Sequence, residues 1–311
     1  MCIAVCLLVG IFAISPAGAH DIGSVRPDTL WRSWSFDPLI ISSLLVALSL
    51  YARGLRRLWQ RAGWGHGVTY ARALSFGAGA AVLLIALISP LDHLGETLLS
   101  AHMAQHALLL AVAPPLLLSG RPGLVFAWAL PARRRKDFLG SRSWRVLTRW
   151  GDVLSRPLTA AVLHALALWL WHAPAAFDAA LASDGVHAVE HASFFCTALL
   201  FWRAILDGRS SLRAAPALGA SFATLIHGSL LGALITLAPY PLYVWYRGRT
   251  EVWGLSAIED QQLAGLLMWV PMGIVYLGAC LLLASRFLVS EEGRLDEATP
   301  VEPVSIEKLR S

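Results

Sequence analysis

The feature that most limits the fold of this chain is the recurrence of long apolar runs. A membrane core of roughly 30 Å is crossed by about 20 helical residues, and seven runs approach or reach that length. With 57% hydrophobic and 14% charged residues, the composition is typical of a multi-span membrane protein and not of a soluble domain. We therefore predict an all-helical bundle of seven transmembrane helices, of which 157–173 is short for a span. The predicted spans are 38–53, 70–90, 99–120, 157–173, 186–206, 216–238 and 259–285.

The two ends of the chain differ from this helical domain, which we place at 38–285. Residues 1–19 have an apolar stretch followed by Ala17-Gly18-Ala19, the small-x-small pattern of a signal-peptidase site. They are interpreted as a signal peptide, with an uncleaved and poorly spanning anchor as the alternative. Residues 20–37 then form an extracytoplasmic segment, and 286–311, which mix acids with prolines, are predicted to be a disordered cytoplasmic tail.

Basic residues indicate the orientation of the bundle. Twenty of the 25 Lys and Arg residues fall in 53–72, 132–156, 203–213 and the tail, which alternate with connections that are poor in them. The positive-inside rule then places the N-terminus outside and the C-terminus in the cytoplasm. The net charge of +5 reflects this topology, so membrane lipid and not nucleic acid is the expected contact.

Histidines are concentrated on the opposite, outer side. Of the ten, His66 alone lies on the predicted cytoplasmic side. His102 and His106 share one helix face, as do His187 and His191, because residues four apart differ by about 40° around a helix. An imidazole in or beside a membrane is costly without a partner, so a one-sided group predicts a metal, haem or proton site. The alternative is that each pair bonds carbonyls and carboxylates at headgroup level.

The two histidine pairs, His102 with His106 and His187 with His191, are the predicted primary metal ligands, and several neighbours extend this candidate site. His172 ends its predicted helix at the same level, and Met103 offers a thioether, so we assign both as secondary or exchange ligands. Imidazole suits copper, zinc and iron, whereas a thioether favours Cu(I). Glu190 and Asp260 are expected to orient the imidazole rings by hydrogen bonding.

Two further histidines, His164 and His227, lie deeper in their spans. Because they sit on separate helices, they are candidates for axial ligation of a haem, which defines a haem-binding redox or haem-handling protein as a second hypothesis. Met268 and Met272, four residues apart, extend a possible path for soft metal ions inward. A copper or proton permease is therefore a third hypothesis.

Several chemistries are excluded by absent motifs. The chain has four cysteines but no C-x-C or C-x-x-C, so it is not a thiolate copper chaperone or a thioredoxin-like protein. It also lacks a phosphate-binding glycine loop, a nucleophile elbow and an H-E-x-x-H motif, which disfavours hydrolytic enzymes.

Ordered segments of the chain resemble the CtaG family of polytopic cytochrome c oxidase assembly factors. They are SPLDHLGETLLSAHMAQHALLLAVAPPLLLSGRP (89–122), WHAPAAFDAAL (171–181), HAVEHASFF (187–195), PLYVWY (241–246) and WGLSAIEDQQLAGLLMWVPMG (253–273). The resemblance covers roughly 36–285. It implies a plasma-membrane assembly factor, not an enzyme, that acts as a metallochaperone and supplies copper to a haem-copper oxidase. Its partners would be the oxidase subunits and a copper donor protein. The positions that match family motifs are His102, Met103, His106, His172, His187, Glu190, His191, Glu259 and Asp260.

Overall fold

The computed structural model describes residues 25–207 and 211–298. It is 82% helical, and these two ranges contain no strand. The first helices are α1 (Pro38–Ala62), α2 (Tyr70–Ile88), α3 (Leu91–Gly95), α4 (Leu99–Ala107), α5 (Ala113–Ser119), α6 (Pro122–Ala129) and α7 (Ala132–Gly140). They are followed by α8 (Arg142–Leu154), α9 (Pro157–Trp171), α10 (Pro174–Leu181), α11 (Asp184–Asp207), α12 (Ser211–Leu237) and α13 (Ala257–Ala298).

Six segments among the described residues are long and apolar enough to cross a membrane as single spans. A seventh span exists if α8 and α9, which meet at an angle of 76°, are counted as one. The predicted all-helical membrane bundle is therefore confirmed, and its short span at 157–173 is half of this bent pair. The signal peptide falls outside the described residues, and the orientation stays a prediction.

Two helices continue further than their apolar runs indicated. The helix α1 reaches Ala62, beyond the predicted end at 53, and α13 reaches Ala298, beyond 285. Both extensions contain Arg, Leu or Glu, which are good helix formers, so the helix continues after the hydrophobic pattern ends. The predicted tail boundary at 286 thus lies inside a helix, and 299–311 lie outside the described residues.

The third span contains a local irregularity next to its two prolines. A π-helical segment, Leu108–Val112, joins α4 to α5. Pro114 has no N–H to donate to the carbonyl of Leu110, four residues earlier. The indole nitrogen of Trp202, on α11, donates to that carbonyl instead, at 2.8 Å. The distortion expected from the proline pair is therefore a π segment whose freed carbonyl is bound by a neighbouring helix.

The spans at 99–119 and 184–207 are the most buried of the bundle, and 38–62 is the least. Close helix packing occurs between α12 and α13. A Cβ atom added at Gly265 would lie 2.2 Å from the Oγ1 of Thr236 and 2.7 Å from the carbonyl oxygen of Gly232, so only glycine permits this approach. Large exposed apolar side chains, including Leu230 and Leu281, lie on the outer faces of this pair, as expected for surfaces in contact with lipid.

Candidate metal centre

The two central spans bring both histidine pairs together. His102 and His106 lie on α4, with ring centroids 4.3 Å apart, and His187 and His191 lie on α11, 4.1 Å apart. Between the helices, the His102 and His187 centroids are separated by 5.2 Å and the His106 and His191 centroids by 5.3 Å. The helical spacing thus places each pair on one face, and the packing of α4 against α11 turns the two faces towards each other.

Glu190 lies between these rings. Its Oε2 is 3.9 Å from the Nε2 of His102, and its Oε1 is 3.8 Å from the Nε2 of His106. One side-chain atom each from His102, His187, Glu190 and His191 falls within a mutual distance of 4.8 Å. Ligands that bind one ion at about 2.0–2.2 Å lie roughly 3–4 Å from one another, so this group approaches a coordination sphere.

His102, His106 and Glu190 are buried, whereas His187 and His191 are half-buried. His102 is 1% exposed, His106 is 2% exposed and Glu190 is fully buried. Within the described part of the chain, neither ring nitrogen of His102 or His106 and neither carboxyl oxygen of Glu190 has a hydrogen-bond partner. The carbonyl of Gly95, which lies close to His102, accepts the hydroxyl of Tyr246 at 2.7 Å. Because burial of unpaired polar groups is unfavourable, these atoms are suited to a ligand.

His172 lies beside this group with a defined tautomer. Its Nδ1 donates to the carbonyl of Leu168 at 2.7 Å, which leaves Nε2 as the unprotonated nitrogen. That nitrogen is buried and has no partner among the described residues, and the ring centroid is 5.7 Å from that of His106. A backbone carbonyl that fixes the tautomer is the usual support of a metal-binding histidine.

Aromatic side chains enclose the polar atoms. The ring of Phe177 lies 5.0 Å from that of His102, and the ring of Phe194 lies 4.7 Å from that of His106. Tyr243 packs on Phe177 at 4.3 Å and donates its hydroxyl to the carbonyl of His172 at 3.0 Å. Burial raises the pKa of Tyr243 and of Tyr246, so both remain neutral donors. Charges inside this apolar enclosure interact more strongly than charges in water.

The sequence model described as the cytochrome c oxidase caa3 assembly factor family matches residues 49–290, which include the whole centre. The chain belongs to this family. Similarity to two further proteins, one of Mycobacterium bovis and one of Mycobacterium tuberculosis, both described as uncharacterized, amounts to 28% identity over 254 residues. The match covers 78% of this chain but 38% of each relative, so the chain spans well under half the length of those proteins. No solved structure matches it.

Two predicted site residues have contacts with groups that the sequence did not indicate. Both carboxyl oxygens of Asp260 accept hydrogen bonds at the start of α4: Oδ2 from the backbone N–H of Leu99 at 2.6 Å, and Oδ1 from the backbone N–H and hydroxyl of Ser100. Asp260 therefore supports the helix that carries His102. Met103 is fully buried and packs in the main hydrophobic core.

The deeper histidines differ from the outer group in their hydrogen bonding. His164 has contacts at both nitrogens, with the hydroxyl of Thr197 at 3.3 Å and that of Tyr276 at 3.2 Å. An adjacent cavity of about 10 Å³, lined in part by Met268, holds about one water and not a porphyrin. Both ring nitrogens of His227 are buried without a partner among the described residues. The haem hypothesis stays a prediction, and the geometry around His164 gives it no support.

The enclosing aromatic residues were missed by the sequence reasoning. Phe177, Tyr243 and Tyr246 had no assigned role, although they lie in the motifs WHAPAAFDAAL and PLYVWY that carry the family resemblance. Two tyrosines in a short connection between spans are a usable signal, because a buried tyrosine hydroxyl needs a partner and here each binds a backbone carbonyl of the site.

Proposed function

We propose that this assembly factor binds copper at the outer histidine centre and passes it to a cytochrome c oxidase in the plasma membrane. Membership of the oxidase assembly family supports the partner, and the buried donor group supports the metal. A separate copper donor protein would load the site. In this proposal copper is the cargo, and the chain is not an enzyme.

The observation that carries the proposal is the placement of Glu190. A fully buried carboxyl group that has no hydrogen-bond partner among the described residues is unfavourable in a membrane protein. A bound cation would favour the ionised form of Glu190 and would at the same time bind ring nitrogens of His102 and His106, which have no partner among the described residues. Among divalent first-row ions, copper has the highest affinity for such nitrogen and oxygen donors.

The roles of the individual residues follow from their distances. We infer that His102, His187, Glu190 and His191 form the first set of ligands, because their atoms converge within 4.8 Å. His106 and His172 stand next to this set and would serve as exchange ligands when the ion enters or leaves. Met103 is inferred to pack in the core and not to bind the ion.

The direct test is the metal content of the purified protein. Full-length chain, purified in detergent after exposure to copper, is expected to contain close to one equivalent, with nitrogen couplings in the electron paramagnetic resonance spectrum of Cu(II). The double variant His102→Ala/His191→Ala should lose the metal. The control is His66→Ala, which removes an exposed imidazole outside the centre. Unchanged copper content in the double variant would refute the ligand assignment.

A second variant tests the carboxylate separately from the rings. Glu190→Gln keeps the shape of the side chain but removes its charge, so it is expected to weaken Cu(II) binding by about tenfold or more, since charged hydrogen-bonding and ligand groups contribute above 1.4 kcal/mol. Copper binding equal to that of the unsubstituted chain would show that Glu190 is not a ligand. Oxidase copper content in cells that carry each variant then reports whether bound copper is delivered.

A further inference from the structure

A second polar site lies at the end of the bundle opposite the histidine centre. A cleft of about 820 Å³ opens between α8, the start of α9, the end of α11 and the start of α12. We call it the arginine cleft, and its polar lining includes Arg145, Arg149, Ser155, Arg156 and Arg203. His172 ends α9 and His191 lies near the start of α11, so about 20 Å of helix separates the two sites.

The cleft has an excess of positive charge. Asp152 and Asp207 also line it, and Arg203 forms ion pairs with both of them. Arg145, Arg149 and Arg156 form no ion pair within the described residues. Three guanidinium groups around one cleft are suited to an anion with several acceptor oxygens, such as a phosphate.

The backbone adds to this charge. The 76° bend between α8 and α9 leaves the first turn of α9 facing the cleft, where Ser155, Arg156 and Pro157 line the wall. No side chain caps this N-terminus, so the positive end of the helix dipole lies at this wall of the cleft without a capping group. The hydroxyl of Ser155 is buried there and has no hydrogen-bond partner in the described ranges. Together these donors form an anion site of the kind found at helix N-termini.

The surroundings of the cleft are apolar. Leu158, on its rim, is 75% exposed, and Trp150, on the neighbouring amphipathic helix α8, is 60% exposed. The cleft lies where α9 and α12 begin and α11 ends, which is the boundary of the membrane-spanning helices. An anion that also has an acyl chain would place its phosphate among the arginines and its chain along these side chains.

We propose that the arginine cleft binds the phosphate headgroup of an anionic phospholipid from the adjacent leaflet. The site is independent of copper binding, because it shares no residue with the histidine centre. Bound lipid would fix the angle between α8 and α9, and α9 ends at His172.

The test uses the full-length chain in a neutral detergent. Phosphatidylglycerol is titrated and its binding is followed by native mass spectrometry, with phosphatidylcholine and inorganic phosphate as separate arms. Phosphatidylglycerol is expected to bind at least tenfold more tightly than phosphatidylcholine. Equal binding of the two lipids would overturn the proposal, and so would binding of inorganic phosphate as tight as that of the lipid, which would indicate a soluble phosphate ligand.

Variants locate the site. Arg145→Gln/Arg149→Gln should weaken phosphatidylglycerol binding about tenfold to a hundredfold, because it removes two charge-assisted contacts. The matched control is Arg133→Gln/Arg134→Gln, which removes two exposed arginines of α7 that do not line the cleft. Equal effects of the two double variants would show non-specific attraction and overturn the assignment. The single variant Arg156→Gln repeats the test if the first double variant does not fold.

Discussion

The substitution Asp260→Ala tests how the centre is held in place without changing any candidate ligand. Asp260 is fully buried on α13 and binds the first residues of α4. Its oxygens accept from the backbone N–H groups of Leu99 at 2.6 Å and Ser100 at 3.2 Å, and from the hydroxyl of Ser100 at 2.5 Å. The residue before the helix, Leu98, has no side chain that can cap it. The carboxylate of another span therefore acts as the N-terminal cap of α4.

The expected cost follows from these three hydrogen bonds. Each buried donor that loses its acceptor costs about 1–3 kcal/mol. The hydroxyl of Ser100 can rotate to another acceptor, so the two backbone N–H groups determine most of the loss. We expect Asp260→Ala to reduce the free energy of unfolding by about 3–5 kcal/mol. Ser100→Ala, which removes the hydroxyl bond alone, is the control and should cost about 1 kcal/mol.

Two measurements separate support of the helix from general stability. The free energy of unfolding is measured by denaturing-detergent titration of the purified chain, followed by tryptophan fluorescence, and copper content is measured on the folded fraction. Because His102 lies two residues after Ser100, fraying of α4 should lower the copper content in Asp260→Ala and leave it nearly unchanged in Ser100→Ala. The reasoning is refuted if the two variants unfold with the same free energy, or if folded Asp260→Ala retains full copper content.

Two other predictions concern packing of the helices. Trp202→Phe removes the donor to the carbonyl of Leu110 and should reduce the free energy of unfolding by about 1–3 kcal/mol in the same titration, whereas no change would mean that another group binds that carbonyl. Gly265→Ala should cost at least about 2 kcal/mol, because the added Cβ would lie 2.2 Å from the Oγ1 of Thr236. Gly278→Ala is its control, since nothing lies within 4 Å of that Cβ, and equal effects of the two glycine variants would contradict the packing argument.

The apolar runs of the sequence predicted the helices correctly where one run corresponds to one membrane span. They failed at the bent pair, because α8 has three arginines and its amphipathic pattern does not extend the apolar run of 157–173. The 76° bend depends on how the two helices pack, which hydropathy does not report. The ends of α1 and α13 were also misplaced, because the membrane limits the apolar run but not the helix.

In the candidate site, too, some features follow from the local sequence and others depend on contacts between spans. The pairing of His102 with His106 follows from helical periodicity, and so does the position of Glu190 three residues after His187, on the same face. The distance between the two pairs depends on contacts between spans, and no local rule supplies it. The same is true of Asp260, whose partners lie about 160 residues away in sequence. A side chain that binds backbone groups far away in sequence leaves no characteristic residue spacing. Asp260 was therefore predicted to orient the imidazole rings and not to cap α4.

Neighbouring spans hold the third span on both sides of the residues that carry His102 and His106. The helix α4, which carries His102 and His106, is held at its start by Asp260, and the π segment that follows it is bound by Trp202 of α11, the helix that carries the other pair. The backbone groups freed at the helix start and by Pro114 are thus bound by neighbouring spans, and both contacts fix α4 relative to its partners. Imidazoles on a backbone held at both ends lose little freedom when they bind an ion, so more of the binding energy is retained as affinity. Trp202→Phe should therefore weaken copper binding as well as stability, although Trp202 lies more than two helical turns beyond His191.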